Sequence, residues 1–274
     1  MKRHIYTLSG EPSEEIELPS IFNTPVRPDL ILRAYLATRT KLYQPKGKSP
    51  SGDKKHVVKS PGVGYDISRV SRTSGGFGTA RFIASAVGGI KVRAPKAEKV
   101  IIERINKKEK LLAIKSAIAA TIDPKIIQMR GHKIEQISEL PIVLTNEFEN
   151  ISKTAKIREL FELLGLSEEM ERVRKGRRVR AGRGKLRGRK YKRRKGPLII
   201  VSSKDAKVIT ACRNMEGIDV VPVEQLSILH LAPGGHPGRL TIWTVKALEK
   251  LTEKLNEIET NLRKRSKIPI INAK

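Results

Sequence analysis

The sequence predicts an α/β fold: a mostly parallel sheet covered by helices on both faces, with a long extended loop projecting from the globular domain. Short continuous apolar runs at 142–144, 196–203 and 218–223 alternate with amphipathic helical segments, and strands apolar on both sides belong in a sheet buried on both faces. Residues 41–99 hold neither a helical nor a strand period and are broken by glycine and proline throughout. A stretch of that length is functional or disordered. The formal charge of +28 over 274 residues is segregated. Residues 41–99 carry thirteen Lys and Arg against three acids, residues 172–195 carry fifteen against none, and the remainder is nearly neutral at 28 against 25. Two cationic appendages on an ordinary body are the footprint of a polyanion binder. The expected organisation is a discontinuous globular domain, 1–40 with 100–274, that includes the basic segment 172–195, and an arm at 41–99.

Taken in order, residues 4–8 (HIYTL) and 15–18 (EIEL) read as strands around a turn at Ser9, Gly10, Pro12 and Ser13. Pro28 and Asp29 start a helix continued by Leu32, Tyr35, Leu36 and Arg39, so the arm leaves from a helix end. It returns into another helix, with Asn106 placed as cap and Leu111, Ile114, Ile118 and Ile122 at helical spacing. Two extended halves of about thirty residues, at about 3.3 Å each, would reach roughly 90 Å as an upper bound. Ile142 to Leu144, between Pro141 and Asn146, is a buried strand. Ser152 is expected to cap a helix carrying Ile157, Leu160, Phe161 and Leu164, with Gly165 past its end. Strands at 196–203 and 218–223 flank a helical segment ending at Met215. Residues 230–243 read as a loop entering the last helix, whose stripe is Val245, Leu248, Leu251, Leu255 and Ile258.

In the arm, Lys46, Lys48, Lys54, Lys55, Lys59, Arg69, Arg72, Arg81, Lys91, Arg93 and Lys96 accompany Tyr43, Tyr65, Phe77 and Phe82. Phosphates attract the cations and rings stack on exposed bases, which suits RNA. A merely solvated linker would not retain Val57, Val58, Ile67, Val70, Ile83, Val87 and Ile90. In the second run, Arg177, Arg178, Arg180, Arg183, Lys185, Arg187, Arg189, Lys190, Lys192, Arg193, Arg194 and Lys195 can grip phosphates, while Gly182, Gly184 and Gly188 let the backbone follow an irregular surface. So dense a run repels itself and is expected to order only on RNA.

Catalytic chemistry finds little support. The nearest phosphate-loop candidate ends at Gly184 and Lys185, but Val179 stands where the leading glycine belongs and Leu186 replaces the magnesium-binding hydroxyl. Gly62, Gly64, Gly75, Gly76 and Gly78 do not open a helix after a strand, so they make no dinucleotide site. Gly234, Gly235 and Gly238 form either an anion-binding turn or a rigid structural one. Of His4, His56, His132, His230 and His236 only the last two are close in sequence, with no carboxylate or cysteine between them, so structural histidines are expected rather than a metal site. Glu159, Glu162, Glu249 and Glu253 lie on solvated helix faces and pair with no acid–base partner. The single cysteine, Cys212, permits no internal disulfide and reads as a small buried side chain. No apolar run approaches the roughly 18 to 20 residues of a membrane helix. The start lacks the apolar length of a secretion signal, and the expected compartment is the reducing cytoplasm.

Six stretches carry a resemblance: TPVRPDLI from Thr24, RAPKAEK from Arg93, SAIAAT from Ser116, RGHKIEQISELPIVL from Arg130, RAGRGKLRGRKYKRRKGP from Arg180 and LAPGGHPGRLTIWT from Leu231. Together, and in this order, they resemble the fourth ribosomal protein of the large subunit in its archaeal and eukaryotic branch. That resemblance implies a non-enzymatic structural constituent of the subunit, with no cofactor and no self-association. Its implied partners are large-subunit RNA, neighbouring ribosomal proteins and the nascent polypeptide near the narrow part of the exit tunnel. Carried onto this sequence, the arm's tip falls at about 64–82, with Arg69, Arg72 and Arg81 facing RNA or the tunnel and Gly75 and Gly76 at the tip. Family members usually have an arginine after the Gly-x-Gly of the descending arm. Here Gly62-Val63-Gly64 is followed by Tyr65, which is placed to stack on a base instead.

Two other readings remain open on the residues alone. An RNA-modifying enzyme such as a methyltransferase would need a cofactor loop after the first strand, and HIYTLSGEPSEE offers only Gly10. A free regulatory RNA-binding protein would not stay with the large subunit in moderate salt.

Overall fold

The computed structural model describes residues 1–49, 51–74 and 78–266, and the chain divides into two units, 1–39 with 103 onward, and 40–102. The chain opens with β1 (Lys2–Tyr6) and β2 (Pro12–Glu17), an antiparallel pair with Lys2 opposite Glu17, followed by α1 (Pro28–Thr40). The second unit contains β3 (Val58–Lys59) and β4 (Arg72–Thr73), paired antiparallel. The first unit then resumes with α2 (Lys107–Ala119), α3 (Pro124–Arg130), β5 (Ile142–Leu144), α4 (Thr154–Leu163) and α5 (Ser167–Lys175). A small ribbon, β6 (Arg178–Val179) with β7 (Tyr191–Lys192), precedes β8 (Leu198–Val201), α6 (Lys207–Cys212) and β9 (Asp219–Pro222). The described residues end in α7 (Ile228–Leu231), β10 (Thr241–Thr244) and α8 (Val245–Ser266).

The main sheet runs β2-β1-β5-β10-β8-β9, parallel throughout except for β1 with β2. Its register explains why it has two cores. Ile5, Val143, Trp243, Ile200 and Val221 stand opposite one another strand by strand, so they form one row on one face. That row packs with Ile31 and Ala34 of α1, Ala117 and Ile118 of α2, and Leu248 and Leu251 of α8. The alternate residues Ile142, Leu144, Ile242, Ile199 and Val201 pack on the other face with Ile157, Leu160 and Phe161 of α4 and Val208, Ala211 and Cys212 of α6. A sheet covered on both faces leaves no position of its central strands in solvent, and the three- and four-residue strands β5, β8 and β10 are buried throughout.

The expected stripe of the last helix is present: Leu248, Leu251 and Leu255 are buried, with Val245 and Ile258 packed against the same core. Cys212 is fully buried and its thiol is pushed up to about 12 by desolvation. Other local expectations need correction. Residues 230–243 are not loop throughout: they begin at the end of α7 and run into the central strand β10. Lys153, not Ser152, precedes α4, and no side-chain bond caps it; Asn106 does precede α2 but supplies no side-chain cap either. Two helices go beyond the sequence expectation. α3 follows the Asp123 carboxylate, which accepts from the Lys125 amide, and stops at Gly131 with φ +93°. α5 begins two residues after Gly165, whose φ is +73° and where a Cβ would stand 2.5 Å from the Gln136 carbonyl oxygen.

Candidate nucleic-acid interface

The basic segment has a conformation of its own rather than being featureless. Arg178 stands opposite Lys192 and Val179 opposite Tyr191, and the Arg180 amide donates to the Lys190 carbonyl at 2.8 Å. A 3-10 turn over Arg183–Arg187 closes the ribbon between Gly182 and Gly188, both at positive φ. The Arg189 amide reaches back to the Gly184 carbonyl at 3.0 Å. Hydrogen-bonded turns of this kind oppose the repulsion that the charge density alone would suggest.

The segment's ends, not its middle, hold carboxylates. At the entry, Arg172 binds Glu169 through Nε at 2.7 Å and Nη2 at 2.5 Å, and Glu169 also accepts from His132 Nδ1 at 2.7 Å and the Lys133 amide at 3.0 Å. Burial alone would raise the Glu169 carboxyl, but the hydrogen bonds from Arg172 and His132 outweigh it and hold the carboxyl below its ordinary range. Burial lowers His132. At the exit, Lys195 Nζ and Arg239 Nη2 both bind Asp219 Oδ2 at 2.7 Å. Arg239 is fully buried, and its other donors meet the carbonyls of Gly196 at 2.9 Å, His230 at 2.9 Å and Pro197 at 3.3 Å. Arg177, next to the entry, pairs with Glu216 at 3.1 Å. Between these anchors Arg178, Arg183, Lys185, Arg187, Arg189, Lys190, Lys192, Arg193 and Arg194 are exposed and Arg180 is half-buried. Among the described residues no carboxylate forms an ion pair with any of these ten.

The second unit holds the cations that the sequence places in an arm. Lys46, Lys54, Lys55, Lys59, Tyr65, Arg69, Lys91, Arg93 and Lys96 are exposed, whereas Lys48 is half-buried against Asp53. Arg72 and Arg81 turn onto their own unit's backbone, donating to the carbonyls of Gly78 at 3.3 Å and Gly88 at 2.7 Å. Gly62 and Gly64 sit at φ +81° and +91°, with open space where a Cβ would stand. Gly75, Gly76 and Phe77, expected at or near the tip, lie outside the described residues.

Open α/β sheets bind ligands beyond the carboxyl ends of their strands. Here that place is closed by the protein's own groups: Glu149 accepts from the Ser202 amide at 2.8 Å, Ser202 Oγ at 2.6 Å and Thr244 Oγ1 at 2.6 Å, just past β8 and at the end of β10. Neither buried carboxylate, Glu149 or Glu169, stands out in the sequence. The glycine-rich turn at 231–239 proves structural. Arg130 of α3 donates to the carbonyls of Pro233 at 2.8 Å, Pro237 at 3.4 Å and His236, so the turn offers acceptors to a cation rather than amides to an anion. Arg130 is itself lowered to about 10 by burial and by Arg239 and Arg172 nearby. Gly238 lies at φ +84°, where a Cβ would stand 2.8 Å from the Ile126 carbonyl oxygen.

Several of the stretches that carry the resemblance meet in pairs within the first unit. Ser116 accepts from the Arg27 amide at 2.6 Å and donates to the Pro25 carbonyl at 3.1 Å, while Arg130 and Arg239 join the glycine turn to the basic segment. The fold and these surfaces define an α/β scaffold protein that anchors exposed cations by their ends, with polar centres serving its own structure. The profile of the ribosomal protein L4/L1 family matches residues 16–254, and the chain belongs to that family, whose members are structural rather than enzymatic. It is similar to the large ribosomal subunit protein uL4 of Methanocaldococcus jannaschii, 46% identical over 254 residues, covering 93% of this chain and 99% of the relative. The uL4 proteins of Methanococcus maripaludis (46% over 251 residues, 92% and 98%) and Methanococcus vannielii (44% over 254 residues, 93% and 100%) are similar to the same extent.

Proposed function

We propose that this chain is a structural constituent of the large ribosomal subunit in the cytoplasm, binding its RNA and aiding its assembly. The observation that carries the reading is the set of ten cations at 178–194 without a carboxylate partner among the described residues, held at the entry by Arg172 on the buried Glu169 and at the exit by Lys195 and the buried Arg239 on Asp219. Unneutralised cations on a fixed ribbon favour a polyanion, because binding releases counterions without the further cost of breaking internal pairs. Residues 41–99 serve as an arm that enters the RNA. Lys46, Lys54, Lys55, Lys59, Lys91, Arg93 and Lys96 neutralise phosphates along it, and Lys48 adds charge beside Asp53. Tyr65 and Phe77 stack on bases. The tip at about 64–82 helps line the polypeptide exit tunnel, with Arg69, Arg72, Gly75 and Gly76 at the tip and Arg81 facing RNA or the tunnel. Its protein partners are adjoining large-subunit proteins and the passing nascent chain; it does not form homo-oligomers.

The test is co-sedimentation. Tagged chain expressed in cells should travel with the large subunit through a gradient in moderate salt. Recovery only at the top of the gradient, or with messenger RNA alone, would overturn the proposal in favour of a free regulatory RNA-binding protein.

A further inference from the structure

The ribbon of β6 and β7 has two unlike faces. In an antiparallel pair, residues directly opposite share a face and successive residues alternate. Arg178 and Lys192 therefore make one wholly cationic face. Val179 and Tyr191 make the other, and both are exposed, at 53% and 41%. An apolar and aromatic pair left in solvent within the most cationic segment of the chain is not explained by phosphate binding, which needs only charge. It is also held ready: the Arg177 guanidinium lies 4.4 Å from the centre of the Tyr191 ring, and Glu216 fixes that guanidinium through Nη1 at 3.1 Å. Lys190 Nζ lies 5.6 Å from the same ring. Cations placed against a ring strengthen a stacking platform and keep an anionic backbone close to it.

We propose that the Val179–Tyr191 face is a binding site for a single unpaired nucleobase, which stacks on the exposed surface of the Tyr191 ring while the Arg178–Lys192 face engages phosphate. This rests on the RNA-binding reading above and adds to it a specific site and ligand. A regular duplex offers no free base face, so the site selects a bulge, loop or junction.

The experiment uses the full chain and an in vitro transcript of large-subunit RNA, comparing Tyr191→Leu, Tyr191→Phe and the pair Arg178→Ala with Lys192→Ala. Tyr191→Leu keeps apolar bulk opposite Val179 but removes the ring. It should weaken binding about 5- to 150-fold with an unchanged slope of log affinity against log salt. Tyr191→Phe should bind within about twofold of the unaltered chain, as expected for a role carried by the ring. The double alanine variant should instead flatten the slope by about 1.4 to 1.8. Ultraviolet cross-linking of the unaltered chain should join Tyr191 to an unpaired nucleotide. Unchanged affinity in Tyr191→Leu, an equal loss in Tyr191→Phe, or a cross-link only to paired nucleotides would overturn the base site while leaving RNA binding intact. Failure of the unaltered chain to bind the transcript would overturn both readings.

Discussion

Arg239 shows how one side chain can position many others. It is the only link, among the described residues, that ties Asp219 of β9 to the carbonyls of Gly196, Pro197 and His230 at once, where the basic segment rejoins the sheet. Removing one partner of a buried pair costs about 3 to 5 kcal/mol. Lys195 still faces Asp219, so Arg239→Met should fall near the low end, about 3 kcal/mol, measured by urea unfolding. The His132–Glu169 pair gives a pH dependence of definite sign. Burial lowers His132 from its ordinary 6.5, so below that pH the unfolded chain takes up a proton first and stability falls. Glu169 is held below its ordinary 4.5, so its contribution is complete above 4.5 and is lost as pH falls through its lower folded value. Both act together on acidification. Thermal melts should therefore decline from about pH 6.5 downward, and His132→Gln should flatten the upper part while a fall below 4.5 remains, because Arg172 still binds Glu169. Neither cluster is legible in the sequence, because its partners are 37 and 20 residues apart and only the fold brings them together.

At the scale of elements, the sequence is most informative where burial is continuous. Strands β5 and β8 stand out as apolar runs, and the stripe of α8 keeps its period for several turns. Strand β10 is hidden because TIWT begins and ends in threonine; both are buried, and Thr244 binds Glu149. Polar residues that find internal partners erase the apolar signature of a central strand. α3 and α5 are short, at 7 and 9 residues, too few for a period, although Asp123, Pro124 and Gly131 are start and stop signals for the first. The basic segment is legible in charge but not in shape. For it we expect that Arg187, Arg189, Arg193 and Arg194 replaced by alanine will flatten the salt slope of RNA binding by about 0.7 to 0.9 for each phosphate released. An unchanged slope would mean that these four do not touch phosphate.

For the whole molecule, the two apolar clusters are built without any described residue of 40–102. Stability and the proposed RNA contact of that unit should then separate. Deleting 61–90 should leave the melting temperature of the isolated protein nearly unchanged while impairing subunit assembly, and a large drop in melting temperature would show that the body depends on the arm. The charge balance points the same way, since a nearly neutral remainder is what a self-sufficient body requires. The position of β10 has a consequence for biosynthesis. It is the last strand among the described residues, yet it lies between β5 and β8, so the sheet stays in two pieces, β2-β1-β5 and β8-β9, until residue 244 has been translated. By then both cationic stretches have already been synthesised. A newborn chain thus meets the polyanions of the cell before it has a body to hold those stretches in place, and the order of translation sets maturation in competition with premature capture.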